Sequence, residues 1–123
     1  MTDRHPDPVV QMLVDREAIK ELKARYFRFI DTKQWDDFAE LFTDDCVHWL
    51  PEDSPVAMMG NAEYLAMTRE LLDTGVTVHQ GHMEEITFVS ADEATGIWSM
   101  EDVVQIEPPS GRVSIRGYGH YHD

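Results

Sequence analysis

The sequence predicts an α+β domain with three N-terminal helices packed against one curved, mixed or antiparallel sheet. Two observations carry this. Up to about Leu72 the apolar residues recur at three- and four-residue spacing, as on helix faces. After Gly75 the period changes to two, with turn-forming clusters between the runs. Helices first and successive strands afterwards make helices lying on one sheet face.

The elements follow in order. Residues 1–8 hold two prolines and read as a flexible arm, and one domain spans 9–123. From Val9 to about Ile30, Ile19, Leu22, Tyr26, Phe29 and Ile30 form an apolar stripe, with Glu21, Lys23, Arg25 and Arg28 opposite. Thr32 suits the N-cap of a second, short helix carrying Trp35, Phe38, Leu41 and Phe42. "CVHWL" reads as a short strand and "PEDSPVAMMG" as a loop. Asn61 suits the cap of a third helix running to Leu72, and Gly75 ends it. "VTVHQGHMEEITFVS", "TGIWSMEDVVQIE" and "GRVSIRGYGHYHD" are then three strands joined by "ADEA" and "PPS" turns.

Composition excludes several classes. A formal net charge of −14 over 123 residues repels phosphate backbones and anionic lipid, so neither nucleic acid nor membrane is an expected partner. The start of the chain lacks an apolar signal core, and the single cysteine, Cys46, has no internal partner. The expectation is a cytoplasmic protein.

Two residues stand out on position alone. In "GIWSMEDVVQI" the even face, Trp98, Met100, Asp102, Val104 and Ile106, is the more apolar and should turn inward. Asp102 in its middle must be paired or line a cavity. Tyr26 lies in the helical stripe, where its hydroxyl needs a partner.

The histidines of "VHQGHMEE" suggest metal or acid–base chemistry. On a regular strand His79 and His82 face opposite sides and cannot hold one ion. A bulge at Gly81 would bring them together, but no third ligand is spaced to suit. His120 and His122 share a face with the same lack, so no metal site is expected. For acid–base work His79 needs an orienting carboxylate. Asp31, near where the first helix meets the sheet, could supply one. It could equally cap the next helix.

"DREAIKELKARYFRFIDTKQWDDFAELFTDDCV" resembles the opening of SnoaL-like proteins of the nuclear-transport-factor-2-like superfamily. "VHQGHMEEITFVSADEATGIWSMEDVV" is similar to that family's central hairpin, and "GYGHYHD" to its next strand. The resemblance spans about residues 15–123. Within the family it is nearest to the bile acid 7α-dehydratases; scytalone dehydratases and hexachlorocyclohexane dehydrochlorinases look more distant.

That resemblance implies a cone-shaped fold around a deep cavity. It places a functional quartet on Tyr26, Asp31, His79 and Asp102, of which the Asp–His pair is also that of the dehydrochlorinases. Trp49, Trp98, Met100 and Tyr121 are the expected substrate-binding side chains. The implied activity is a cofactor-independent lyase, dehydratase-like, acting on a hydrophobic cyclic, ketone-containing small molecule. An isomerase or cyclase with the same site, or a ligand-binding domain without chemistry, is the alternative. No cofactor is expected, because a ketone already acidifies the neighbouring carbon. The dehydratases it resembles are trimers, so a homotrimer is expected, with a dimer as fallback. The family continues past "HYHD" with a turn and a last strand, which this sequence lacks.

Overall fold

The computed structural model describes residues 3–123. Met1 and Thr2, the start of the expected arm, lie outside the described residues. The elements are α1 (Pro8–Asp31), α2 (Trp35–Ala39), β1 (Val47–Trp49), β2 (Met58–Gly60), α3 (Asn61–Leu72), β3 (Val76–Phe88), β4 (Ala94–Ile106) and β5 (Val113–His122). Every strand pairing is antiparallel. β1 and β2 form a small ribbon, and the main sheet has the order β3-β4-β5. The fold is of the α+β class expected, with α1 packed against β3 of the sheet.

Asp7 caps α1, its carboxylate accepting from the Val9 amide at 2.9 Å, and Pro8 occupies the first turn, where no amide is required. Three cap and loop expectations change. Thr32 is the C-cap of α1, not the N-cap of α2: its hydroxyl donates to the Arg28 carbonyl at 2.6 Å. Gly60, not Asn61, is the N-cap of α3, because the Asn61 side chain is engaged by His48. The last residues of "PEDSPVAMMG" are not loop but β2, since Met58–Gly60 pair with Val47–Trp49.

The inward face of α1 is also turned from the expected one. Leu22 is exposed, while Lys23 is buried in line with Ile19, Tyr26, Phe27 and Ile30. The spacing still obeys the helical period, so a lysine occupies a core position. Ile30, Phe38 and Leu72 form the buried centre, with Tyr26, Trp35, Phe42, Tyr64 and Val104 around it.

Cross-strand register fixes what faces the helices. His79, Asp102 and Gly117 stand in one row, and Gly81, Met100 and Gly119 in the next. In a third row Trp98 is opposite Tyr121. Gly81 is required by close approach: a Cβ there would lie 2.8 Å from the Phe27 ring. The register shift of β3 falls between His82 and Glu85, where Met83 has φ 45°. It comes after both histidines, so the parity question posed by Gly81 is settled without a bulge there. His79 faces inward, and His82 faces outward toward Glu101 at 3.8 Å.

Candidate functional site

The site begins where α1 ends. Asp31 is its last residue, and its carboxylate reaches β3 with both oxygens. Oδ1 receives the His79 ring Nδ1 at 2.7 Å and the Thr77 hydroxyl at 2.9 Å. Oδ2 receives the His79 backbone N–H at 2.9 Å. Behind Thr77, the Lys33 ammonium donates to the same hydroxyl at 2.9 Å. Burial pushes the Lys33 amine downward, opposed by the nearby Asp31 and Asp73 charges. With Nδ1–H committed to Asp31, the other ring nitrogen carries a free lone pair. The His79 side chain is only 8% exposed.

Asp102 is the cross-strand neighbour of His79 on the same face. Its Oδ1 is buried with no hydrogen-bond partner among the described residues. Burial raises its carboxyl above the usual carboxylate range. The neighbouring His79, the Tyr121 hydroxyl and the Lys23 charge pull it back, and Asp31 pushes it further up. The sequence expectation that Asp102 turns inward thus has an energetic signature: a polar atom kept out of water without a bond.

Tyr26 meets Tyr64, with the two hydroxyl oxygens 3.2 Å apart. Burial, and then the neighbouring Tyr64, holds its phenol well above the ordinary value. It is therefore a neutral hydrogen-bond donor or acceptor, not a phenolate base. Tyr121 is pushed up likewise, by burial first and then by Asp102. Its ring lies 6.1 Å from that of Tyr26.

The expected binding residues divide. Trp98, Met100 and Tyr121 line the inward face beside Asp102. Trp49 stands apart, 76% exposed on β1. Alternation on so short a strand sends one side chain inward, and that is His48. The His48 ring stacks on Tyr64 with centroids 3.7 Å apart, and its Nε2 lies 3.0 Å from Asn61 Oδ1. His48 is an inward polar residue that the sequence reading passed over. The alternation of "CVHWL" carried the signal.

Lys23 was also missed. It is 8% exposed, and its ammonium contacts Asp123 Oδ2 at 2.6 Å. The Nζ lies 3.9 Å from the Tyr121 ring centroid, 4.6 Å from that of Tyr26 and 5.3 Å from that of Trp98. Burial lowers its pKa, against the pull of Asp123 and Asp102.

No group of three or more His, Cys, Asp or Glu side chains suited to a metal occurs among the described residues. No described helix is long and apolar enough to cross a membrane. Two open clefts are lined by none of Tyr26, Asp31, His79 and Asp102. One of about 290 Å³ is formed at Lys33–Asp37 and Arg69, the other, about 370 Å³, between the start of α1 and the end of β3. Around Tyr26 the interior is packed with aromatic rings and the Lys23 stem.

Comparison with known proteins gives these relatives. Residues 11–123 match a family model described as SnoaL-like domain. The "Probable cyclase FGR4" of Gibberella zeae is 29% identical, over 91% of this chain and 83% of its own. A protein of Novosphingobium aromaticivorans, provisionally assigned as a scytalone dehydratase, superposes with TM-score 0.75 at 23% identity, over 90% of this chain and 72% of that one. The hexachlorocyclohexane dehydrochlorinase LinA-type3 of Novosphingobium barchaimii superposes with TM-score 0.67 at 20% identity, over 90% and 76%.

Proposed function

Because this chain belongs to the SnoaL-like domain family, we propose that it is a cofactor-independent lyase of dehydratase type, acting on a hydrophobic cyclic β-hydroxy ketone. One observation carries the reading: His79 is bonded to Asp31 through Nδ1 at 2.7 Å and sits beside Asp102, whose buried Oδ1 has no partner among the described residues. The resemblance to dehydratases and dehydrochlorinases and the similarity to a protein named a probable cyclase support lyase- or isomerase-like chemistry broadly.

In this mechanism Asp31 holds the imidazole in one tautomer and orientation. The second nitrogen of His79 removes the proton α to the ketone. The neutral Tyr26 hydroxyl donates to the enolate oxygen, leaving its bond with Tyr64 to do so. Asp102 accepts a hydrogen bond from the substrate hydroxyl, giving its bare oxygen a partner. Trp98, Met100 and Tyr121 supply the apolar walls. The ketone's own acidifying effect serves in place of a cofactor.

The test is turnover of β-hydroxycyclohexanone to cyclohexenone, followed by ultraviolet absorbance, with the wild type and His79→Ala. Acid–base help is worth roughly 10²–10⁴-fold, so a loss of that order is expected. Undiminished turnover by His79→Ala sinks the assignment.

A second reading, a binding domain without chemistry, is favoured by the packed aromatic interior. Mass spectrometry of the purified protein separates the two. A ligand recovered unchanged after long incubation favours the binder.

A further inference from the structure

Lys23 has no role in the mechanism above, yet it is a costly residue to bury. A lysine buried to 8% exposure gives up most of its hydration. Its one carboxylate contact among the described residues, Asp123, is itself half-exposed. An apolar residue at a buried ion-pair position is commonly neutral or stabilising by comparison. Stability therefore does not account for the lysine, and a cation buried beside Tyr26, Tyr121 and the bare oxygen of Asp102 points to function.

Its bonding is incomplete in a specific way. An ammonium has three N–H donors. One is taken by Asp123 at 2.6 Å, and the others face the rings of Tyr121, Tyr26 and Trp98. Those rings attract the charge but are not strong hydrogen-bond acceptors. Asp102 is the complement: a buried oxygen lacking a donor. Both groups adjoin Tyr121, which carries the lysine over its ring and has Asp102 close to its hydroxyl. Gly117 and Gly119 place no side chain in front of Asp102 and Met100, and the nearest atoms to where their Cβ atoms would be belong to those two side chains, at 3.6–3.7 Å. A hydroxyl oxygen set between Lys23 and Asp102 would satisfy both, accepting from one and donating to the other.

We propose that Lys23 is the acid that protonates the departing hydroxyl, while Asp102 holds that hydroxyl in place. The inference rests on the elimination reading given above. The bonds balance without any co-reactant. His79 takes the α-proton, and the C–H electron pair becomes the enolate. The enolate re-forms the carbonyl, the carbon–carbon double bond forms, and the bond to the β-oxygen breaks. That oxygen leaves with a proton from Lys23 as water. A proton returning from the imidazolium to the amine through solvent closes the cycle. The depressed pKa of Lys23 suits it to give up a proton.

The experiment separates the two halves of the reaction. Cyclohexanone has no leaving group, so its α-deuterium exchange in heavy water reports on the His79 step alone. β-Hydroxycyclohexanone reports on exchange and water loss together. Lys23→Met keeps the stem and removes the acid; Lys23→Arg keeps the charge but has no proton to give at neutral pH. In both variants the ratio of water loss to exchange should fall about 100-fold, the lower end of general-acid effects. A ratio unchanged in both variants overturns the proposal. So does loss of the far-UV spectrum in both, which would make Lys23 a structural cation. A wild type that exchanges cyclohexanone but cannot eliminate water also overturns it, while leaving His79 as base. A wild type that does neither overturns the elimination reading and this inference with it.

Discussion

Asp31 and His79 are joined twice, once through the imidazole at 2.7 Å and once through the His79 amide at 2.9 Å. The second bond ties the ring's position to the backbone of β3, so the carboxylate is both an orienting group and a splice between α1 and the sheet. Removing it should therefore cost activity and stability together.

Asp31→Ala leaves the Thr77 hydroxyl and the His79 amide without their acceptor. Each orphaned buried group costs about 1–3 kcal/mol, so urea unfolding should show a loss in that range or above it. Asp31→Asn keeps one oxygen but turns an N–H toward a donor, and turnover should fall with a smaller stability loss. An Asp31→Asn variant with full turnover would remove Asp31 from the mechanism.

Asp102 gives a pH dependence of definite sign. Its carboxyl is raised in the folded protein. The folded state then holds that proton more tightly than the unfolded state. This contribution is present below the usual carboxylate pKa and is lost as pH rises through the folded value. Asp102→Asn should remove the slope, leaving the variant more stable than wild type at neutral pH and much less active. Urea titrations of both proteins from pH 4 to pH 8 check it. A variant less stable than wild type at neutral pH contradicts the account of the bare oxygen.

How much of this was readable in the sequence depends on the periodicity each residue obeys. Asp102 sits in a clean period of two, so its inward direction followed from Met100 and Val104 on either side. His79 and His82 followed from the same rule. Lys23 did not, because a charged residue beside Leu22 reads as solvent-facing by residue type. Only its place in the line of Ile19, Tyr26, Phe27 and Ile30 shows otherwise, with Asp123 arriving from the far end of the chain. The buried position of Thr77 and its bond to Asp31 likewise require the tertiary fold, since the two are 46 residues apart. Thr32 and Asn61 were sound cap residues on local grounds, and each was claimed by a different hydrogen bond.

Gly96 tests the wall of the site. The Trp98 indole lies so close over it that an added Cβ would overlap ring atoms. Gly96→Ala must push the indole toward Lys23 or shift β4. Overpacking of this kind costs typically about 1–3 kcal/mol. A lowered melting temperature and a changed Trp98 near-UV signal are expected, together with weaker binding of cyclic ketones. Unchanged melting and spectrum would show that the indole can move freely.

The last expectation concerns assembly. The sheet face turned away from α1 carries Val78, Val103 and Arg116 in one row, and Gln80, Glu101 and Tyr118 in the next. Val76 and Val78 are exposed, and Tyr118 is 67% exposed. Apolar groups on an uncovered sheet face favour self-association, and closed cyclic symmetry is its usual form. A homotrimer is expected from the resemblance to trimeric dehydratases, with that face as the contact. Sedimentation equilibrium at micromolar concentration should give three times the 14.2 kDa of one chain. Val78→Glu places a carboxylate in the contact of a protein already at −14, and it should shift the mass toward one chain. The inward side chains are untouched, so the far-UV spectrum should be preserved. A wild-type mass of one chain at every concentration refutes the assembly. A trimer that survives Val78→Glu keeps the stoichiometry and moves the contact to another face.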